Sequence, residues 1–80
     1  MITVDENKKQ VTVTEFWTVQ DVRCVEDTLP PVYDSIDITD EDRWIVLKNA
    51  ANKAQYWNEN LTEQKLYDEL EDYLEDKLNN

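Results

Sequence analysis

The chain has no glycine and no histidine, one serine (Ser35) and one cysteine (Cys24). Without glycine it cannot form the Gly-rich loops that hold phosphate in P-loop and dinucleotide-binding proteins. Without histidine, neither Ser35 nor Cys24 has the usual base that would activate it as a nucleophile. A Cys/His cluster for zinc is also missing. We therefore expect a protein that is not an enzyme and that needs no metal or cofactor.

Long apolar runs are absent too, and the longest is WIVL, at residues 44–47. A membrane-spanning helix needs about 20 apolar residues. The first residues, MITVDENKK, lack the basic segment and apolar run of a signal peptide. A single cysteine fits a reducing compartment. The sequence thus predicts a cytoplasmic protein without a membrane partner.

Charge of one sign dominates what is present. The 80 residues include 19 acidic and 8 basic side chains, which gives a net charge of −11. Direct binding to nucleic acid or to an anionic membrane needs a positive surface, so this balance argues against both. It favours a basic protein as partner. The length allows one domain, so we expect a single small acidic domain over residues 1–80.

The first third of the chain predicts β-structure. Alternation in ITVDENKKQVTV indicates a β-hairpin that pairs Val4 with Val11 around a turn at Asn7-Lys8, or around a longer loop. We expect the second strand to continue through TEFWTVQ, with a bend or bulge near Glu15 or near Asp21, and DVRCV to remain strand-like. Alternating isoleucines in YDSIDI, residues 33–38, predict a short third strand.

Two helices should follow. Thr39 with Asp42 is a short form of the capping box, so a helix is expected from there to NEN, where an asparagine would replace the usual C-terminal glycine. Its predicted core face extends to Trp57. A last helix should begin near Leu61-Thr62. The predicted fold is α+β: an antiparallel sheet of two or three strands, hairpin first, packed against two C-terminal helices.

The last helix separates apolar from acidic residues. At about 100° per residue, four carboxylates lie opposite the leucines of this helix; they are Asp68, Glu71, Asp72 and Glu75. We call these four residues the acidic face. Like charges at i,i+3 and i,i+4 spacing repel each other, and acids near a helix C-terminus oppose the helix dipole. The arrangement costs stability, which favours a functional reason, although such a face is often merely solvated.

A second acidic group surrounds the start of the first predicted helix. Its members are Asp37, Asp40, Glu41 and Asp42. We treat this group, like the acidic face, as a candidate partner-binding surface. Its spacing lacks the pattern and central glycine of a calcium loop, so no metal site is predicted there.

Two functions are compatible with these features. Carboxylates in rows can imitate nucleic-acid phosphate and occupy a basic groove of a nucleic-acid-binding enzyme. In size and charge the chain resembles the small acidic anti-restriction and anti-CRISPR proteins of bacteriophages. That resemblance is compositional and implies an inhibitor of a host defence enzyme, without assigning a role to any residue.

The alternative is an interaction module that uses apolar contacts. Ile45 and Tyr56 fall on the outer face of the first predicted helix, and Phe16 falls on the back of the sheet. Such residues would suit an accessory subunit, an antitoxin-like partner or a phage structural adaptor. A homodimer is compatible with this hypothesis.

Overall fold

The structure, a computed structural model, describes residues 2–13 and 15–79. A three-stranded antiparallel sheet is followed by three α-helices, which confirms the predicted α+β class. The elements are β1 (Thr3–Asp5), β2 (Gln10–Thr12), β3 (Phe16–Thr18), α1 (Val19–Glu26), a 3-10 turn (Pro31–Tyr33), α2 (Asp40–Tyr56) and α3 (Glu63–Leu78).

The sheet confirms the predicted hairpin register. Val4 pairs with Val11, and Asp5 pairs with Gln10, so the connecting loop is the longer of the two forms expected. Asp5 Oδ1 accepts hydrogen bonds from the backbone N–H groups of Asn7 and Lys8, and the positive φ falls on Lys9. Because β2 lies between the other two strands, Val11 is fully buried.

The predicted continuation of the second strand is wrong. Thr12 pairs with Phe16, so the chain reverses direction after β2 and the next residues form the third strand. The segment DVRCV lies within α1, which begins at a capping box formed by Thr18 and Asp21. Val22 and Val25, one helical turn apart, are its buried residues.

The strand predicted at residues 33–38 is also absent from the described residues. This segment starts at the last residue of the 3-10 turn and continues through a turn and a bend into an irregular connection to α2. Ile36 and Ile38 still pack against the core, which explains their alternation. Among the described residues their segment pairs with no strand, and the sheet consists of β1, β2 and β3.

Helix α2 begins as predicted, and an asparagine of NEN ends it, also as predicted. Thr39 and Asp42 form the reciprocal capping box. At the other end, the N–H of Asn58 bonds to the carbonyl of Gln55 and that of Glu59 to Ala54, with Asn58 at φ 55°. This is a Schellman motif with asparagine in the left-handed position that glycine usually occupies. The core face is shorter than predicted: the buried residues of α2 end at Ala54, and Trp57, at the C-cap, is 67% exposed.

The three helices pack on one another, and the sheet contacts α1 and α2. Leu66, Leu70 and Leu74 carry the buried side of α3, while Trp44 and Leu47 carry much of that of α2. Asp42 of α2 meets Lys77 of α3, and Lys53 meets Glu69, so the two helices run antiparallel. No helix within the described ranges is long and apolar enough to cross a membrane.

Candidate functional site: the acidic face of the last helix

The acidic face lies on the side of α3 away from the leucines, as the helical spacing predicts. Asp68, Asp72 and Glu75 are exposed, and Glu71 is half-buried. Asp68 accepts a hydrogen bond from Gln64 at 3.0 Å, and Glu71 accepts one from the hydroxyl of Tyr67 at 3.3 Å. These neighbours orient two of the carboxylates without neutralising them.

Most basic side chains form ion pairs with carboxylates outside the acidic face. Seven of the eight lie within 4.0 Å of a carboxylate, Lys8 being the exception among residues 2–13 and 15–79. The carboxylates that they pair with are Glu6, Glu26, Asp40, Asp42, Glu59 and Glu69. In this described part of the chain, no residue of the acidic face has a cation within that distance. The four carboxylates of the face therefore form no salt bridge there, although the charge of Asp72 contributes to the raised pKa of Lys53.

Tyr33, in the 3-10 turn, lies beside one edge of the acidic face. Burial raises the pKa of this phenol, and the negative charges of Glu71 and Glu75 raise it further. The pKa of Tyr67 is raised in the same way, by burial and then by Glu71. Both tyrosines therefore stay neutral at pH 7 and add no charge to this surface.

Two of the four members of the second acidic group, Asp40 and Asp42, form ion pairs within the fold. Asp40 Oδ1 accepts hydrogen bonds from Arg23 and Arg43, each at 2.8 Å, and these lower the pKa of Asp40. Arg43 also reaches Glu26 of α1, so the group fastens α1 to the start of α2. Asp37 and Glu41 remain exposed, and no partner is found for either among the described residues.

Asp42 is the buried member of the second acidic group. Its carboxylate accepts hydrogen bonds from the hydroxyl of Tyr73 at 2.6 Å and from the backbone N–H and hydroxyl of Thr39, and it pairs with Lys77 at 3.0 Å. Burial alone would raise the pKa of Asp42, but these donors lower it well below its usual range. The same hydrogen bond raises the pKa of Tyr73 to about 12. Asp42 holds the helices together and cannot meet a partner.

The two predicted apolar contacts on α2 are not brought together. Ile45 is half-buried, whereas Tyr56 is 79% exposed. Eleven residues separate them, so they lie about 16 Å apart along the helix. The neighbour of Tyr56 is instead Trp57, whose ring packs edge-to-face against it at 5.1 Å. Phe16, as expected, is exposed on the sheet.

A groove between α2 and α3 joins this aromatic pair to the acidic face. Trp57 and the small residues Ala50 and Ala54 line it from the α2 side. From the α3 side it is lined by Asp68 and Asp72, among others. The predicted core face of α2 included Trp57, so this groove was not expected. The NEN segment marked the helix end correctly but gave no sign that the tryptophan before it is exposed.

Within the described part of the chain, no cluster of three or more His, Cys, Asp and Glu side chains could hold a metal ion. What the site offers is therefore fixed negative charge beside an exposed aromatic pair. Comparison with protein-family models, curated proteins and solved structures finds no match for this chain.

Proposed function

We propose that the protein is a small inhibitory binding protein, whose acidic face occupies a basic groove that normally holds nucleic acid on another protein. The main support for this proposal is the distribution of ion pairs. Seven basic side chains pair with other carboxylates, and the acidic face is left without a salt bridge among the described residues. A surface of this kind gains energy from a partner that supplies the missing cations.

The charge density of the face supports phosphate mimicry. Asp68 to Glu75 covers two helical turns, about 10 Å of helix axis, with successive carboxylates about 4.5, 1.5 and 4.5 Å apart along it. One strand of DNA carries a phosphate every 3.4 Å or so along its axis. The two surfaces thus have a similar average density of negative charge, although the carboxylates are not evenly spaced. The proposed partner is a nucleic-acid-binding or defence enzyme, as in anti-restriction and anti-CRISPR inhibition, and the role requires no catalysis.

To test this proposal, the chain is immobilised, and a protein that binds to it is captured and identified. We expect a nucleic-acid-binding protein that is retained at about 50 mM salt, released by higher salt and displaced by double-stranded DNA. Capture that is indifferent to salt or to DNA would refute the proposal.

Two variants of equal net charge locate the interface. The first reverses the acidic face, with Asp68, Glu71, Asp72 and Glu75 all changed to Lys; the second reverses Glu15, Asp27, Asp34 and Asp37, which are exposed and lie outside α3. We expect the first variant to fold and to lose the partner, and the second to keep it. Loss of binding in the second variant alone would move the interface to the loop that precedes α2.

The exposed aromatic pair favours a second candidate function, a non-catalytic interaction module. Tyr56 and Trp57 together present a rigid apolar surface that the fold leaves uncovered. If this surface joins two copies, light scattering should show a dimer that Tyr56→Asp dissociates and that reversal of the acidic face does not. A monomer at all concentrations would eliminate this form of the module.

A further inference from the structure

The groove between α2 and α3 has the size of a side-chain pocket. Its volume is about 180 Å³. Pockets for small molecules are larger, roughly 300–1,000 Å³. Its α2 side is apolar except for Lys53: Ala50 and Ala54 are buried there, and the indole of Trp57 stands exposed beside them. A single side chain with an apolar stem would fill this space.

The charges around the groove are unbalanced. Lys53 Nζ lies 2.6 Å from the buried Oε1 of Glu69. Lys65 donates to the carbonyl of Asn60 at 2.8 Å. Both lysines of the groove thus have a first partner other than Asp68 and Asp72, although the charge of Asp72 contributes to the raised pKa of Lys53. Asp68 and Asp72, at i,i+4 spacing and about 5–6 Å apart at Cβ, face the groove without a salt bridge among the described residues.

We propose that this groove receives an arginine side chain of the basic partner. Its guanidinium would stack on the indole of Trp57 and pair with the carboxylates of Asp68 and Asp72. The inference rests on the proposed function and adds a defined contact to it. Arginine suits this geometry better than lysine, because its planar head can stack on an aromatic ring and bond to carboxylate at the same time.

The negative charge of the chain favours an arginine side chain in the groove over a second copy of the same chain. A second copy would bring a net charge of −11 toward carboxylates that already lack cations. Like charges brought together at an interface cost several kcal/mol. A cationic side chain instead relieves the repulsion between Asp68 and Asp72, and an aromatic residue beside a desolvated charge is typical of an interface hot spot.

The experiment compares two blocked peptides of equal charge, hexa-arginine and hexalysine, titrated into the ¹⁵N-labelled full chain at low salt. The readout is the indole N–H signal of Trp57, assigned by its loss in Trp57→Leu. We expect hexa-arginine to bind about two- to fivefold more tightly and to shift this signal. Trp57→Leu should bind both peptides with the weaker, hexalysine-like affinity, whereas Trp57→Phe should keep part of the preference for arginine.

Equal affinities for the two peptides, or an unmoved Trp57 signal, would overturn the inference. The proposed function is tested separately by Glu71→Lys with Glu75→Lys, which lie outside the groove lining. If this variant binds both peptides as tightly as the parent does while Trp57 still prefers arginine, the extended acidic face is not the interface and the groove assignment stands. If it weakens both peptides alike and no preference for arginine exists, the proposed function stands without the groove.

Discussion

Asp42 is a buried carboxylate that stabilises the fold, in a chain where many other carboxylates are exposed to solvent. It caps α2 through Thr39 and joins α3 through Tyr73 and Lys77. Capping was predicted from sequence, because Thr39 and Asp42 have the required spacing. The contacts to Tyr73 and Lys77 were not, since they depend on how α2 and α3 pack, which local spacing does not specify.

We predict that Asp42→Asn lowers the free energy of unfolding by about 2–3 kcal/mol at pH 7. The substitution weakens several charge-assisted hydrogen bonds and leaves Lys77 without its partner. Urea unfolding followed by tryptophan fluorescence measures the loss. Asp37→Asn, at an exposed carboxylate, is the control and should change stability by less than about 0.5 kcal/mol. A loss of similar size in both variants would show that general charge, not this network, is responsible.

The contribution of Asp42 should also depend on pH in a defined direction. Its pKa in the folded protein is lowered from the ordinary 3.8. Stability from this group is therefore complete at neutral pH and is lost as pH falls below 3.8 toward the lowered value. The difference between the parent and Asp42→Asn should shrink when urea unfolding is repeated near pH 3. A constant difference from pH 7 to pH 3 would contradict the lowered pKa.

At the scale of elements, the two long helices were predictable and the region between the hairpin and α2 was not. Capping residues and the 3.6-residue period mark α2 and α3 directly. In α1 the valines suggested a strand by their type, yet Val22 and Val25 have helical spacing and Thr18 with Asp21 forms a capping box. Intrinsic strand preference was given too much weight against these local signals.

The candidate site divides in the same way. The acidic face follows from helix periodicity, so its residues were named correctly as a group on one side of α3. Trp57 is the C-cap residue of α2 and lies beyond Ala54, the last buried residue of this helix. Periodicity extended past the helix end therefore placed this tryptophan in the core.

We predict that Asp72→Lys with Glu75→Lys stabilises the isolated protein. The pair removes like-charge neighbours at i,i+3 and i,i+4 and places cations near the C-terminus of α3, where the helix dipole favours them. The expected gain is about 0.5–1 kcal/mol, or a rise in Tm of several degrees for a domain of this size. Thermal unfolding followed by circular dichroism measures it.

The control for this helix effect is Glu15→Lys with Asp34→Lys, which changes net charge equally and lies outside the helices. A rise in Tm of the same size in both double variants would assign the gain to net charge alone. A larger rise for the α3 pair means that the natural sequence keeps a destabilising helix surface, as expected where binding constrains it.

At the scale of the whole molecule, charge and size together determine how the protein responds to salt. The fold measures 35 × 26 × 22 Å and carries a net charge of −11. At 0.01 M salt the Debye length is about 30 Å, so nearly all of the carboxylates repel one another across the molecule; at 0.1 M it is about 10 Å. Salt bridges such as Arg43 with Glu26 would be weakened by the same screening, but Arg43 is largely buried and is screened less.

We therefore predict that Tm rises as sodium chloride increases from 0.01 to 0.5 M, by about 4–8 °C for each kcal/mol of repulsion removed. Reversal of the acidic face should reduce this slope, because that variant has lost the densest cluster of uncompensated charge. A Tm that falls with salt would mean that ion pairs, not repulsion, dominate the electrostatics of folding. The affinity for the captured partner should change in the opposite direction, because salt should release the partner. High salt therefore stabilises the free protein and weakens its complex. That combination distinguishes a surface that needs external cations from one that is merely solvated.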